Sequence, residues 1–232
     1  MKKNCLLCLL LCFLSCSSQE AAQVAPEPKT SQLKYLALGD SYTIGESVCE
    51  TCRFPEQLKN ALKNDLSSKI ELKIIARTGW TTTRLIEAIE TENPNADFDL
   101  VTLLIGVNNQ YQGKPFETYR QEFTQLLNKA IGFAKGNKNR VIVVSIPDYA
   151  YTPFGQGRSD ATKISEEIDL YNTFAMQTAE AQGISFINIT DITRLGLEQP
   201  VLVASDGLHP SELAYFKFVE RILPQALAKL NN

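Results

Sequence analysis

Five short, mostly apolar runs, each followed by a longer amphipathic stretch, constrain the fold of this chain more than any other feature. A run that is apolar along its whole length is typical of a strand buried on both faces of a parallel sheet. The stretches between the runs carry apolar residues at helical spacing, as Phe54, Leu58 and Leu62 do. We predict strands at 35–38, 70–76, 100–105, 141–146 and 184–189, and helices at 54–66, 81–90, 116–135, 161–182 and 211–230.

Strands that alternate with helices in this way are joined by right-handed crossovers. The pattern therefore predicts one three-layer α/β/α sandwich with about five parallel strands and a flavodoxin-like strand order. We place this domain at residues 34–232. The length of 232 residues, with 44% hydrophobic and 21% charged residues, suits a single domain of this kind. A net charge of −3 with no dense basic run argues against a nucleic-acid partner.

The N-terminal residues are predicted to direct export and to lie outside the fold. Lys2 and Lys3 precede an apolar run at 6–14, which is shorter than the roughly 20 residues that a membrane-spanning helix needs. The run ends in Ser15-Cys16 and then turns polar, which resembles a bacterial lipobox, in which the cysteine carries the lipid. We expect a signal peptide at 1–16, a lipid on Cys16, a flexible tether at 17–33 and a location in the bacterial cell envelope. Secretion after a conventional signal peptide is the alternative.

Small and polar residues collect in the loops that follow the predicted strands. In open parallel sheets, sites form beyond the carboxyl ends of the strands, so these loops are expected to meet at one edge of the sheet. The segments concerned are 39–43, 77–80, 106–109 and 206–210.

The parts needed for acyl transfer lie in these same loops. Ser41 is the candidate nucleophile, and a serine hydroxyl is weak until a base takes its proton. The chain has one histidine, His209, and Asp206 precedes it by three residues, so one loop can deliver a base and the carboxylate that orients it. An oxyanion needs hydrogen-bond donors. The backbone N–H groups of Ser41 and Gly79 and the side-chain amide of Asn108 are the candidates.

These segments resemble the four sequence blocks of the SGNH, or GDSL-type, hydrolase family, in the family's order and across the whole predicted domain. The blocks are Gly39-Asp40-Ser41, Gly79, Gly106-Val107-Asn108 and Asp206-Gly207-Leu208-His209-Pro210. The resemblance implies hydrolysis of a small-molecule, glycan or lipid ester through an acyl-serine intermediate, without a metal or other cofactor. It implies a triad of Ser41, His209 and Asp206. It also implies an oxyanion hole formed by Ser41, Gly79 and Asn108.

One residue departs from the family pattern. Asn109 stands where the family often has aspartate, which bears on how the loop around Asn108 is supported.

Two other functions are compatible with parts of the pattern: an acyltransferase on the same triad, and a non-catalytic surface lipoprotein that binds glycans. The complete set of triad residues argues against the second of these.

Several further residues have two interpretations each. Cys49 and Cys52 are expected to form a local disulfide or to remain two thiols after export. Two cysteines and one distant histidine do not make a four-ligand zinc site. Arg77 and Arg158 are either substrate contacts or solvated surface charge. Five aromatic residues near the site loops are expected either to line a substrate pocket or to pack at the rim of the domain: Trp80, Tyr111, Tyr149, Tyr151 and Phe154.

Overall fold

A five-stranded parallel sheet forms the centre of the protein, in a computed structural model that describes residues 32–231. The strand order is β2-β1-β3-β4-β5, which confirms the predicted three-layer fold and its flavodoxin-like order. The strands are β1 (Gln32–Gly39), β2 (Lys69–Ala76), β3 (Leu100–Leu104), β4 (Val141–Val144) and β5 (Ser185–Ile187). The expected signal peptide at 1–16, with Cys16, and the tether as far as residue 31 lie outside the described residues.

Helices cover both faces of the sheet. They are α1 (Ser41–Ile44), α2 (Phe54–Leu66), α3 (Thr82–Glu92), α4 (Val107–Tyr111), α5 (Phe116–Phe133), α6 (Pro153–Gln156), α7 (Ala161–Glu180), α8 (Thr190–Thr193) and α9 (Glu212–Leu230). Short 3-10 turns lie at Glu50–Cys52, Lys138–Arg140, Tyr149–Tyr151 and Pro200–Leu202. Helices α2 and α9 pack together on one face, and α3, α5 and α7 form the other layer. Within the described range, none of the helices has both the length and the apolar character of a membrane span.

The apolar pattern of each strand follows from its place in the sheet. Every residue of β3 and β4 is buried, because these strands lie in the interior with helices on both faces. β2 is an edge strand, and its Lys69 and Glu71 are exposed. Charged residues on an edge strand hinder pairing with another chain. β1 begins at Gln32, two residues before the expected domain start, because Gln32 and Leu33 already pair with β2.

The carboxyl edge of the sheet positions the site loops. β1 turns directly into α1 at Gly39, where the chain passes close to its neighbours. A Cβ atom at Gly39 would lie 2.1 Å from Thr43 Oγ1 and 2.4 Å from the carbonyl oxygen of Leu104. Only glycine fits this turn, so the residues after it, including Ser41, are held against the end of β3.

Candidate active site

Ser41 is the first residue of α1, directly beyond the carboxyl end of β1. The preceding Asp40 caps this helix, since its Oδ1 accepts a 3.0 Å hydrogen bond from the backbone N–H of Tyr42. Ser41 lines a cavity of about 250 Å³ together with Gly79, Asn108 and His209. The structure thus brings residues from four loops, far apart in the sequence, to one cavity.

Asp40 itself lies beneath the site and is fully buried. Burial raises the pKa of its carboxyl to about 7, although the hydrogen bond from Tyr42 opposes the rise. Its second oxygen, Oδ2, has no hydrogen-bond partner among the described residues. A carboxyl in this environment favours its neutral form, because the charged form loses the solvation that water would give it.

Asp206 and His209 contact each other within one tight turn. His209 Nδ1 lies 2.6 Å from Asp206 Oδ2, and Asp206 Oδ1 accepts the backbone N–H groups of Leu208 and His209 at 2.9 and 3.0 Å. An ionised carboxylate only accepts hydrogen bonds, so Nδ1 of the neutral ring carries the proton and Nε2 is left with a free lone pair. His209 is mostly buried and packs against the Tyr42 ring, with 5.5 Å between ring centroids. This arrangement leaves His209 suited to act as a base.

The ionised state of Asp206 is stabilised by hydrogen bonds. Partial burial alone would raise the pKa of its carboxyl. The hydrogen bonds from Ser47, from His209 and from two backbone N–H groups outweigh it and hold the pKa well below its usual range. Ser47 Oγ donates to Oδ2 at 2.6 Å. Asp206 therefore keeps a negative charge beside the His209 ring.

Gly79 and Asn108 line the same cavity from two neighbouring loops. Gly79 has φ +81°, a left-handed conformation that favours glycine, in a turn closed by the Trp80 N–H to the Arg77 carbonyl at 3.2 Å. Asn108 Nδ2 donates to the Trp80 carbonyl at 3.1 Å, which joins the two loops. An amide nitrogen carries two protons, so Asn108 retains a second N–H that can be offered to an oxyanion.

Three rings form one side of the cavity, which we call the aromatic wall: Tyr111, Tyr149 and Phe154. Their centroids lie 6.0 to 6.3 Å apart. Tyr149 donates its hydroxyl to Gln110 Oε1 at 2.8 Å, and the Arg158 guanidinium lies 5.5 Å from the Tyr111 ring centroid. No lysine, arginine, aspartate or glutamate of residues 32–231 lines this cavity.

Residues 37–215 match the GDSL-like Lipase/Acylhydrolase family. The chain belongs to this family. It is accordingly a serine ester hydrolase, as the sequence predicted. No curated protein sequence matches the chain.

Solved structures similar to this GDSL-like hydrolase share its fold at low sequence identity. A lipase from a goat rumen metagenome has a TM-score of 0.66 and 21% identity, over 83% of this chain and 97% of that one. A lipase/acylhydrolase from Enterococcus faecalis has a TM-score of 0.64 and 18% identity, over 85% and 96%. A variant of an acetyl xylan esterase from Geobacillus stearothermophilus has a TM-score of 0.61 and 17% identity, over 84% and 94%.

Both polar atoms of the Asn109 side chain, at the position that departs from the family pattern, have hydrogen-bond partners in this hydrolase. Its Oδ1 accepts the Thr82 N–H at 2.9 Å, and its Nδ2 donates to Thr82 Oγ1 at 2.7 Å. The Thr82 hydroxyl in turn donates to Glu122. An aspartate at position 109 would compete with Glu122 for the single hydroxyl proton. Asparagine therefore supports the loop around Asn108 in a way that suits this neighbourhood.

The remaining residues that the sequence singled out divide between the site and its surroundings. Tyr111, Tyr149 and Phe154 line the cavity, whereas Trp80 packs against the hydrophobic core and Tyr151 lies beside Arg194. Arg77 is exposed, and Arg158 stacks on the aromatic wall.

Cys49 and Cys52 form a disulfide, which decides between the two states expected of them. No cluster of metal-binding side chains occurs in the part of the chain that the structure describes.

The sequence interpretation gave no role to Ser47, Tyr42, Val107 or Leu208. The last three line the cavity, and they lie within or directly beside the quoted sequence blocks, so their position in the loops could have indicated them. Ser47 contacts Asp206 across 159 positions of the chain. No local pattern in the sequence signals such a contact.

Proposed function

We propose that this GDSL-like hydrolase cleaves carboxylic esters with Ser41 as nucleophile, His209 as general base and Asp206 as the carboxylate that orients the histidine. The observation that carries the proposal is the 2.6 Å contact between His209 Nδ1 and Asp206 Oδ2, at a histidine that lines the same cavity as Ser41. A serine, a histidine and a carboxylate in this relation are the parts of an acyl-transfer site.

The reaction runs in two halves. Ser41 Oγ attacks the carbonyl carbon while His209 Nε2 takes the hydroxyl proton, and the carbonyl oxygen becomes an oxyanion. The backbone N–H groups of Ser41 and Gly79 and the Asn108 amide donate to that oxyanion. The intermediate collapses, and the alcohol leaves with the proton from His209. A water molecule then gives a proton to His209 and attacks the acyl carbon. The bond between the acyl carbon and Ser41 Oγ breaks, Ser41 Oγ takes the proton back from His209, and the acid is released.

The cavity supports esters with a short apolar or aromatic group next to the scissile bond. Its walls are three rings with Val107 and Leu208, and its volume is about 250 Å³. Pockets for drug-sized ligands are usually about 300 Å³ or larger, so a small group fits best. Lipid-like esters and acetylated sugars both present such a group. One of the similar structures is described as a lipase and another as an acetyl xylan esterase.

An acyltransferase differs only in the second half of the reaction. A sugar hydroxyl would take the place of water and attack the acyl-serine, with His209 again accepting the proton. Incubating the enzyme with an aryl ester and a sugar acceptor would reveal acylated sugar if transfer competes with hydrolysis.

Hydrolysis of aryl esters by wild type, Ser41→Ala and His209→Ala tests the proposal directly. A series of increasing acyl-chain length, beside acetylated sugars, defines the substrate. We expect each variant to lose on the order of 10³-fold or more in kcat while keeping the wild-type circular dichroism spectrum. A folded Ser41→Ala or His209→Ala protein with wild-type activity would contradict the triad.

We further propose that the enzyme is held in the bacterial cell envelope by a lipid on Cys16. Ser15-Cys16, after the apolar run at 6–14, supports this location. β1 begins at Gln32, at the amino edge of the sheet, whereas Ser41 lies at the carboxyl edge. An anchor that precedes Gln32 would therefore attach to the side of the domain away from the site. Wild type should fractionate with membranes in a bacterial host and Cys16→Ser should not; equal membrane recovery of the two would contradict the anchor.

A further inference from the structure

A short loop between α1 and α2 contacts the site from outside the cavity. We call residues 45–53 the bracing loop. It follows directly on the helix that carries Ser41, and the backbone N–H groups of Gly45 and Glu46 both donate to the Ser41 carbonyl at 3.0 Å. A disulfide between Cys49 and Cys52 closes the middle of the loop. The start of the loop is thereby attached to the nucleophile residue itself, and the cross-link limits how far the rest can move.

Ser47 connects this loop to the base. Its hydroxyl donates to Asp206 Oδ2 at 2.6 Å, and the same oxygen contacts His209 Nδ1. Ser47 has φ +66°, a left-handed conformation that is uncommon for residues other than glycine. The hydrogen bond links the segment that carries Ser41 to the segment that carries the base, across 159 positions of the chain.

Glu46 connects the same loop to the turn that contains Gly79. Its carboxylate accepts a hydrogen bond from the hydroxyl of Thr78, the residue before Gly79. At the far end of the loop, Arg53 Nη1 donates to the Ile44 carbonyl at 3.4 Å. Two consecutive residues, Glu46 and Ser47, thus contact two separate segments of the site, the turn next to Gly79 and the turn that carries His209.

The backbone of its own turn holds only one of the two carboxylate oxygens of Asp206. Oδ1 is occupied by two backbone N–H groups, but the side chain is 30% exposed and Oδ2 has only side-chain partners. A hydrogen bond from an uncharged hydroxyl to a carboxylate is charge-assisted and directional. It leaves Asp206 charged while fixing where Oδ2 points.

We propose that the bracing loop positions two segments of the active site relative to Ser41: Ser47 holds the Asp206–His209 pair, and Glu46 holds the turn that contains Gly79. Ser47 and Glu46 are positioning residues, since neither lines the cavity. The inference rests on the proposed triad of Ser41, His209 and Asp206.

A pair of substitutions at Ser47 separates its hydroxyl from its backbone conformation. Ser47→Gly keeps the left-handed conformation and removes the donor, whereas Ser47→Asn tolerates the conformation and supplies a donor. We expect Ser47→Gly to lower kcat for an aryl ester on the order of tenfold with KM little changed, as loss of a hydrogen bond to a charged group predicts. Ser47→Asn should recover most of that loss. Ser205→Gly, at an exposed serine next to Asp206, is the matched control and should behave as wild type.

A double-mutant cycle shows whether the effect passes through Asp206. In an Asp206→Asn background the charge that Ser47 contacts is gone, so adding Ser47→Gly should lower kcat little further. Glu46→Ala, in contrast, should lower kcat in both backgrounds. Wild-type kcat in Ser47→Gly, or an equal loss in both backgrounds, would overturn the role of Ser47. Wild-type kcat in Glu46→Ala would overturn that of Glu46. Wild-type kcat in Asp206→Asn alone would instead overturn the triad, so the two failures are distinguishable.

Discussion

Two aspartates belong to the loops of the candidate site, and their environments are opposite. Asp206 is 30% exposed, receives four hydrogen bonds and has a pKa well below the usual range. Asp40 is fully buried, accepts one hydrogen bond from Tyr42 and has a pKa raised to about 7. The residue type is the same, and what differs is the number of donors and the access to water.

These environments determine which of the two carboxyl groups can be charged at the pH of the reaction. A carboxylate that stabilises an imidazolium must carry its charge at the pH of the reaction, and only the hydrogen bonds around Asp206 provide for that. Asp40 caps α1 through one oxygen, and a neutral amide can do the same. We therefore expect the charge of Asp206 to be essential for turnover, and the charge of Asp40 to be dispensable.

Removing the charge of Asp206 should lower turnover more than removing the charge of Asp40 or the amide of Asn108. Asp206→Asn keeps the size of the side chain but can hold His209 in the wrong tautomer, because an amide can donate to Nδ1. We expect kcat to fall by roughly 10³- to 10⁴-fold with the fold retained, measured by aryl-ester hydrolysis and circular dichroism. A loss confined to KM would mean that Asp206 binds substrate and does not orient the base.

Asn108→Ala shows how the loss of an uncharged donor on another loop compares with the loss of the Asp206 charge. The substitution removes one candidate oxyanion donor and leaves both aspartates in place. We expect kcat to fall by about 10²- to 10³-fold with KM little changed, less than for Asp206→Asn, in the same aryl-ester assay. Asn109→Ala is not a suitable control, since Asn109 supports the same loop through Thr82. A fall in kcat smaller than a few-fold would remove Asn108 from the oxyanion hole.

The fold was predictable because burial leaves a local trace in the sequence. β3 lies between helical layers, so each of its residues had to be apolar or small, and a short window of sequence shows it. That the candidate site residues meet in space was predictable for a related reason: each follows the carboxyl end of a strand or lies in the one loop that contains histidine. Strand ends were less predictable, and β5 stops at Ile187 because Asn188 turns the chain into α8.

Contacts between distant loops could not be predicted. The bond from Ser47 to Asp206, and the Asn109–Thr82–Glu122 chain, depend on how crossovers place loops side by side. The state of Cys49 and Cys52 depended on the backbone of the bracing loop, which the spacing of two cysteines does not determine. The opposite pKa shifts of Asp40 and Asp206 also follow from three-dimensional surroundings, although both residues were visible in the motifs.

Asp40→Asn should change the pH dependence of stability while leaving kcat within a few-fold of wild type. In the folded state the pKa of Asp40 is about 7, above its ordinary 3.8. The folded protein therefore binds more protons than the unfolded chain between these values. The contribution of Asp40 to stability is fully present below about pH 4 and is lost as the pH rises to about 7.

An asparagine at position 40 does not titrate, and it can still accept the Tyr42 N–H. The melting temperature of Asp40→Asn relative to wild type should therefore rise between pH 4 and pH 8. Each pKa unit corresponds to about 1.4 kcal/mol, so the relative gain has an upper bound of about 4 kcal/mol. Thermal melts of both proteins at several pH values measure it, and shared groups such as Asp206 cancel in the difference. A constant or falling difference would show that Asp40 is charged in the folded protein, and the contrast with Asp206 would then be lost.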